Sequence, residues 1–222
     1  MVKKIVSGQL GCNSYIYIDE NNNSQYIIDP GTEPDKIIDY IDTSLKIRAI
    51  ICTHGHLDHI AGLNYLKSKL KEITNIIPPV YIGEEDSIFI SDKAEEIHRK
   101  FFAKMGIDYE NLISHNIQLM SEHVTVKEGS KIDNLTIIHT PGHSPGSICI
   151  YSRQEKILFS GDTLFDMSIG RTDLLFSNPQ EIFYSLAKLC RLPEETIVYP
   201  GHGETTTIGK EKEYNSFIRQ IY

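Results

Sequence analysis

A dense cluster of metal-type side chains directly after an apolar segment is the feature that most constrains this chain. The segment 47–52 is apolar enough for a buried strand, and the run HGHLDH follows it at residues 54–59. The run carries three imidazoles and one carboxylate, on His54, His56, Asp58 and His59. Imidazole nitrogens and carboxylate oxygens are the donors that borderline divalent metals accept. In an extended loop, the first two would share one side, and the last two could turn toward a second ion. The run therefore predicts a metal site at a strand end.

Three further candidate ligands lie beside small residues at the ends of predicted strands. They are His143 in the run TPGHSPGS, Asp162 in GDTLF and His202 in PGHG. Each is weak evidence alone, because a single histidine beside glycine is common in solvated loops. All three have the same local setting, a strand end beside glycine. Glycine lets backbone segments approach closely, and a strand end holds a side chain in place. The run at 54–59 supplies too few donors for two ions, and these residues can supply the rest.

The order of predicted elements favours an α/β protein. Strands at 13–19 and 25–29 flank a turn, a helix begins at Pro34, and the strand at 47–52 leads into the metal-type run. Strands return from Gln118 onward, followed by helices that begin near residues 178 and 209. Strands and a helix, then strands and a helix again, suit two sheets packed together with helices outside.

The charged segment 84–116 interrupts this order and is predicted to be helical, with apolar pairs such as Phe101-Phe102. A helical cap over the metal site and an ordinary pair of surface helices both fit its composition. The 222 residues otherwise fit one domain, without a low-complexity linker or a short repeat.

Composition and charge exclude several classes of function. The formal net charge is −8, whereas general nucleic-acid binding needs a basic surface, so no nucleic-acid partner is expected. No apolar run approaches the roughly 20 residues that cross a bilayer, and the N-terminal apolar stretch is too short for a signal peptide. A cytoplasmic protein without a membrane partner is expected.

The four cysteines are widely spaced, which favours buried, reduced thiols over a cysteine metal site or a nucleophile.

The sequence resembles the metallo-β-lactamase superfamily over nearly the whole chain. The matching runs, in the family's order, are HGHLDH at 54–59, TPGHSPGS at 140–147, GDTLF at 161–165, IGRTD at 169–173 and PGHG at 200–203. Within the superfamily, the chain is similar to the glyoxalase II-like branch, especially to short members without the C-terminal glutathione-binding domain. The resemblance implies a four-layer αββα sandwich with the metals at one sheet edge.

The resemblance also implies a ligand set and a cofactor. His54, His56 and His143 would bind a first metal ion, Asp58, His59 and His202 would bind a second, and Asp162 would bridge the two. The ions would be two divalent metals, with zinc as the leading candidate and iron or manganese as alternatives. A water that they share would become the attacking hydroxide, and Asp58 could move a proton to the leaving group. Arg171 and Asp173 match a family loop and are expected to pair and to support the ligands.

Three activities are compatible with these motifs. The leading one is hydrolysis of a small-molecule thioester, hydroxyacylglutathione-like, or of a related ester by two metals. The alternative is a persulfide dioxygenase with a single iron held by His54, His143 and Asp162. Lactonase or β-lactamase activity ranks lower. Because the chain ends at Tyr222 without the glutathione-binding domain, the thiol carrier is left open, as is the oligomeric state.

Overall fold

The computed structural model of the protein describes residues 1–107, 109 and 117–221. The chain divides into two units, one made of residues 1–82 and 87–125, the other of residues 83–86 and 126–222. Each unit contains one six-stranded sheet. The sequence-based expectation of a single domain stays a prediction.

The first sheet brings the ends of two parallel strands to one edge. Its strands, in spatial and chain order, are β1 (Val2–Ser7), β2 (Cys12–Asp19), β3 (Ser24–Ile28), β4 (Lys46–Cys52), β5 (Val80–Gly83) and β6 (Val124–Val126). The pairs β1–β2 and β2–β3 are antiparallel, whereas β3–β4 and β4–β5 are parallel. Carboxyl ends of parallel strands meet at the same edge of a sheet, where ligands commonly bind in α/β proteins. The residues after β3 and β4 therefore become neighbours.

The described part of this unit has the α-helices α1 (Pro34–Ile38), α2 (Leu57–Ile60), α3 (Leu63–Thr74) and α4 (Ala94–Lys104). Pro34 occupies the first turn of α1, as predicted, where its missing N–H costs nothing. In α3, the buried Leu63, Leu66 and Leu70 lie three or four residues apart, so one helical face joins the apolar core of the unit.

The segment 84–116 is helical at Glu84–Ile90, which forms a 3₁₀ helix, and at α4. These two stretches confirm the predicted helical character. Residues 108 and 110–116 lie outside the described residues. The role of the segment as a cap stays a prediction.

The second sheet has the strand order β14-β13-β10-β9-β8-β7. Its strands are β7 (Lys131–Ile132), β8 (Leu135–His139), β9 (Ile148–Ser152), β10 (Ile157–Gly161), β13 (Ile197–Pro200) and β14 (Thr206–Thr207), while β11 (Leu164–Phe165) and β12 (Ser168–Ile169) form a separate hairpin. The strands β10 and β13 are parallel, and the rest of the pairs in this sheet are antiparallel. As in the first unit, the carboxyl ends of a parallel pair share one edge.

Two helices belong to the second unit, α5 (Pro179–Leu189) and α6 (Ile208–Tyr214). The side chain of Asn178 caps α5 by accepting hydrogen bonds from the backbone N–H groups of Gln180 and Glu181, at 2.9 and 3.4 Å. The apolar face of α5 packs on the sheet through Ile182, Leu186 and Leu189.

The mixed α/β class predicted from the sequence is confirmed, because each unit combines a sheet with helices. Within the described residues, every helix is too short or too polar to cross a membrane.

Candidate metal centre

In the first unit, the run predicted to bind metal folds into one buried cluster of rings at the carboxyl end of β4. The ring centroids of His54 and His56 lie 4.7 Å apart, and those of His54 and His59 lie 4.1 Å apart. The chain is not an extended loop throughout, because α2 begins at Leu57 and turns Asp58 and His59 back toward the sheet. As a result, Asp58 Oδ2 lies 3.7 Å from His59 Nε2.

Asp29, which follows β3, orients the histidines of this cluster. Its Oδ1 accepts a hydrogen bond from the Thr53 backbone N–H at 2.7 Å, and its Oδ2 accepts one from the Thr53 hydroxyl at 2.7 Å. The same Oδ2 lies 2.9 Å from Nδ1 of His59. Because a carboxylate only accepts, Nδ1 of His59 is the protonated ring nitrogen in this arrangement. Asp29 is 1% exposed, so these bonds form in a buried environment.

The same network sets the tautomer of His54. Oγ1 of Thr53 lies 3.1 Å from His54 Nδ1. The single hydroxyl proton of Thr53 is donated to Asp29, so Oγ1 accepts from His54, whose Nδ1 carries the proton. In the neutral rings of His54 and His59, the lone pair then lies on Nε2, on the opposite side of the ring. A buried carboxylate that holds histidines in this way is typical of metal sites.

Asp29 was not among the residues predicted for the site. Its position indicates a role in the site, because Asp29 directly follows β3 and Thr53 directly follows the parallel β4. The sequence predicts Asp29 only as the last residue of the strand at 25–29, since the pairing of β3 with β4 is not visible in the sequence.

Aromatic side chains cover one side of His56. Its ring centroid lies 4.7 Å from that of Phe101, on α4, and 6.0 Å from that of Phe89. Gly55 permits this packing, because a Cβ at residue 55 would overlap the ring of Phe89. The helical segment therefore contributes apolar contacts to a predicted ligand.

His98, which matches no predicted ligand position, has a structural role in this aromatic group. Its Nε2 donates a hydrogen bond to the Phe89 carbonyl at 3.2 Å, and its ring lies 5.3 Å from that of Phe89. Burial lowers the pKa of His98 from 6.5 to about 4, because the charged form would lose its hydration. His98 is therefore neutral at physiological pH.

In the second unit, the structure brings together the three predicted ligands that are dispersed in the sequence. Asp162 follows β10 and His202 follows the parallel β13, and His202 Nε2 lies 3.6 Å from Asp162 Oδ2. His143, in the loop after β8, places its Nε2 3.4 Å from the same oxygen. Nδ1 of His143 lies 2.9 Å from the Arg171 carbonyl oxygen, so Nδ1 carries a proton, and in the neutral ring the lone pair lies on Nε2.

Asp86 holds the loop that carries His143. Its two carboxylate oxygens accept hydrogen bonds from the Ser144 hydroxyl and from the Gly146 backbone N–H, each at 2.6 Å. Asp86 is fully buried. On the other side of His143, Gly142 adopts a φ of +136°, and a Cβ there would overlap the backbone of Ile182 at the start of α5. Gly142, the first glycine in TPGHSPGS, is thus required for close packing of the loop.

Arg171 and Asp173 form the ion pair expected from the sequence. The bonds are bidentate, Nε to Oδ1 and Nη2 to Oδ2, both at 2.9 Å. Both side chains are mostly exposed, at 64% and 69%. The contact of Arg171 with His143 is made by its backbone carbonyl rather than by its guanidinium.

The donor set of each unit fits a divalent cation. His59 in the first unit and His143 in the second have Nδ1 as a donor, so in its neutral form each ring turns an Nε2 lone pair toward a carboxylate oxygen, at 3.7 and 3.4 Å. Two electron-rich atoms at this separation repel each other unless a positive charge lies between them. Imidazole nitrogen and carboxylate oxygen are suitable ligands for zinc, iron or manganese. The side chains therefore fit the metal that the sequence motifs predict.

These observations define a class, an α/β protein with histidine and aspartate metal ligands at the carboxyl ends of parallel strands. The model of the metallo-β-lactamase superfamily matches residues 7–202. The chain belongs to this superfamily of metallo-hydrolases, and the fold predicted from its motifs is confirmed.

Several proteins are similar to this one over nearly the whole chain. Hydroxyacylglutathione hydrolase GloC of Haemophilus influenzae is 34% identical over 221 residues, which cover 96% of this chain and 95% of the relative. The structure of TTHA1623 in a di-iron-bound form is 32% identical, with a TM-score of 0.80 and coverage of 97% and 99%. The BLEG-1 B3 metallo-β-lactamase is 31% identical, with a TM-score of 0.79 and coverage of 98% and 99%.

Proposed function

We propose that the protein is a dinuclear metal-dependent hydrolase that cleaves a small-molecule thioester of the hydroxyacylglutathione type, or a related ester. The single observation that carries the proposal is the similarity to GloC over nearly the whole length of both chains. The metal-type donors described in both units support it independently, because they supply the chemistry that such a hydrolase needs.

The proposed ligands follow the family pattern. They are His54, His56 and His143 for the first ion, Asp58, His59 and His202 for the second, and Asp162 for both. Zinc is the proposed metal, and the di-iron form of TTHA1623 makes iron the first alternative. When bound, such ions supply a water-derived nucleophile at neutral pH and polarise the substrate carbonyl.

The protein's own groups orient the ligands and move protons. Asp29 and Thr53 fix the tautomers of His54 and His59, so that Nε2 is the coordinating atom in each. The Arg171 carbonyl does the same for His143.

Asp58 is suited to transfer a proton to the departing thiolate. Its side chain is 20% exposed, whereas that of its neighbour His59 is fully buried. A partly exposed carboxylate within a buried cluster can exchange protons with solvent and with a leaving group. We therefore propose a proton-transfer role for Asp58 in addition to its role as a ligand.

The proposed location is the cytoplasm, and the proposed partner is a small-molecule substrate rather than a nucleic acid or a membrane. The four cysteines are buried thiols, which suits a reducing compartment. The acidic net charge of −8 does not favour binding to polyanions.

A direct test combines metal analysis with turnover of S-lactoylglutathione. We expect close to two metal ions per chain and thioester hydrolysis. His56→Ala should lower turnover by more than about 100-fold, beyond the loss typical for residues that only orient ligands. His123→Ala is the matched control, because His123 hydrogen-bonds to the Ser121 carbonyl and matches no ligand position. Undiminished turnover in His56→Ala contradicts the dinuclear scheme.

The same experiment separates the competing activities. A single iron per chain, together with sulfite formation from glutathione persulfide and oxygen, would replace the hydrolase by a dioxygenase that uses His54, His143 and Asp162. The similarity to BLEG-1 makes a β-lactam the first additional substrate to assay, with a lactone alongside. Faster turnover of either than of the thioester would shift the proposed substrate class.

A further inference from the structure

The first unit contains a third metal-type donor beside Asp58 and His59. Cys12 offers its Sγ in a group with a carboxylate oxygen of Asp58 and a ring nitrogen of His59, and the three atoms lie within 4.8 Å of one another. Cys12 is 1% exposed. The wide spacing of the cysteines favours isolated thiols, so only the fold reveals this group.

The topology of the first sheet explains the convergence. The strand β2 is antiparallel to β3, so its first residue lies at the edge where β3 and β4 end. That edge carries Asp29 and the run 54–59. Cys12 is the first residue of β2, so the strand begins at this edge, and the Sγ of Cys12 lies within 4.8 Å of donor atoms of Asp58 and His59.

We propose that Sγ of Cys12 is a third protein ligand, together with Asp58 and His59, for the metal ion assigned to that pair. The proposal rests on the proposed function only in requiring that Asp58 and His59 bind metal. As the sulfur–metal bond forms, the thiol proton leaves to solvent. The donor set becomes one nitrogen, one carboxylate oxygen and one sulfur from this unit, and a soft sulfur donor favours zinc over manganese.

The environment of Cys12 differs from that of the other buried thiols. Cys52 belongs to the apolar core of the first unit, and Cys190 packs in the apolar cluster of the second with residues such as Leu186. Cys52 also interacts electrostatically with Asp29 and His59, whereas Cys12 in addition offers its Sγ beside a carboxylate oxygen of Asp58 and a ring nitrogen of His59. Among the buried thiols of the described residues, Cys12 is grouped with other potential metal ligands.

The decisive measurement is spectroscopy of the metal-loaded, full-length protein rather than its activity. In zinc-loaded wild type, X-ray absorption should show a sulfur scatterer at about 2.3 Å from the metal. In protein loaded with two equivalents of cobalt(II), a thiolate-to-metal charge-transfer band should appear in the near ultraviolet. Cys12→Ser should lose both signals and bind its second zinc at least about 10-fold more weakly. Cys190→Ser, the matched control, should keep both signals.

The outcomes distinguish this proposal from the proposed function. Visible cobalt d–d bands without a charge-transfer band, and zinc spectra without sulfur, would overturn the role of Cys12 and leave the dinuclear hydrolase intact. Absence of the d–d bands as well would refute the metal site itself. The wild-type spectra decide the question even where Cys12→Ser folds poorly, and Cys12→Ala provides a second variant.

Discussion

The two units hold their metal-type residues in different ways, although both use the ends of a parallel strand pair. In the first unit, the ligands predicted from the sequence come from one short run, and one buried carboxylate, Asp29, orients two of its histidines. In the second unit, His143, Asp162 and His202 come from three loops. Asp86 supports the loop of His143, whereas a backbone hydrogen bond of 2.8 Å from the Gly201 N–H to the Gly161 carbonyl joins the loops of His202 and Asp162. With a shared support, the positions of several ligands depend on one residue. With separate supports, the loss of one residue affects fewer ligands.

The largest effect is expected from Asp29→Ala in the first unit. The change removes the carboxylate that accepts three hydrogen bonds. The buried N–H and hydroxyl groups of Thr53 then lose this acceptor. We expect a loss of about 4 kcal/mol in the free energy of unfolding, since breaking a buried, hydrogen-bonded ionic group costs roughly 3–5 kcal/mol. Metal affinity should also fall by about 100-fold.

Urea unfolding of metal-free protein and zinc titration measure these two effects. Asp35→Ala is the control, because Asp35 is exposed and accepts a bond from the Tyr65 hydroxyl. If Asp29→Ala were as stable as this control, the shared support of the first unit would be disproved.

A smaller effect is expected from Asp86→Ala in the second unit. Two hydrogen bonds to the loop of His143 are lost, each worth about 1.5 kcal/mol or more for a charged acceptor. We expect a destabilisation of about 3 kcal/mol and weaker metal binding.

Asp86→Asn separates charge from hydrogen bonding, because it retains an acceptor for one of the two bonds. Calorimetry and zinc titration compare the two variants. Equal metal affinity in Asp86→Ala and wild type would mean that the loop does not need this support.

Acid should destabilise the first unit through His98. The folded pKa of about 4 lies below the ordinary value of 6.5, so the unfolded chain binds the proton first as the pH falls. The stability contributed by neutral His98 is complete above pH 6.5 and is lost between about pH 6.5 and 4. Between pH 7 and pH 5 this corresponds to about 2 kcal/mol.

The comparison of wild type with His98→Gln isolates this effect, because the other titrating groups are common to both. Urea unfolding at the two pH values gives the double difference. A difference near zero would show that His98 is not held neutral by its surroundings.

A still smaller effect is expected from Phe101→Leu, which keeps an apolar side chain against His56 but removes the ring contact at 4.7 Å. Swaps between large apolar residues cost up to about 1.5 kcal/mol, and we expect about 1 kcal/mol. Zinc affinity should fall by less than about 10-fold. Tyr184→Leu, at a site that is 76% exposed, is the control for chemical denaturation and zinc titration alike.

The smallest effect is expected from Asp173→Asn, which breaks an exposed ion pair. Exposed pairs contribute roughly 0–1 kcal/mol, and His143 is oriented by the Arg171 backbone, not its side chain. Zinc affinity and thermal stability should stay close to wild type. A loss of metal affinity above about 10-fold would assign the Arg171–Asp173 pair a direct part in the centre.

Prediction from sequence succeeded where chemistry and spacing are local. The run at 54–59 identified the histidines that cluster in the first unit, and the glycine-flanked runs identified His143, Asp162 and His202, which converge in the second. The helix at Pro34 and the one after Asn178 were found because their start signals are local. Asp29 and Asp86 were missed as supports because their partners lie 24 to 60 residues away in the chain.

The sequence by itself determined the donor types, the α/β class and the family, because these depend on residue identity, periodicity and ordered motifs. Only the tertiary structure decided which carboxylates orient the histidines, which ring nitrogen carries the lone pair, and that Cys12 lies beside Asp58 and His59. Strand pairing is the physical reason. The direction and register of β2, β3 and β4 bring residues distant in the chain to one sheet edge, and no local pattern encodes that register.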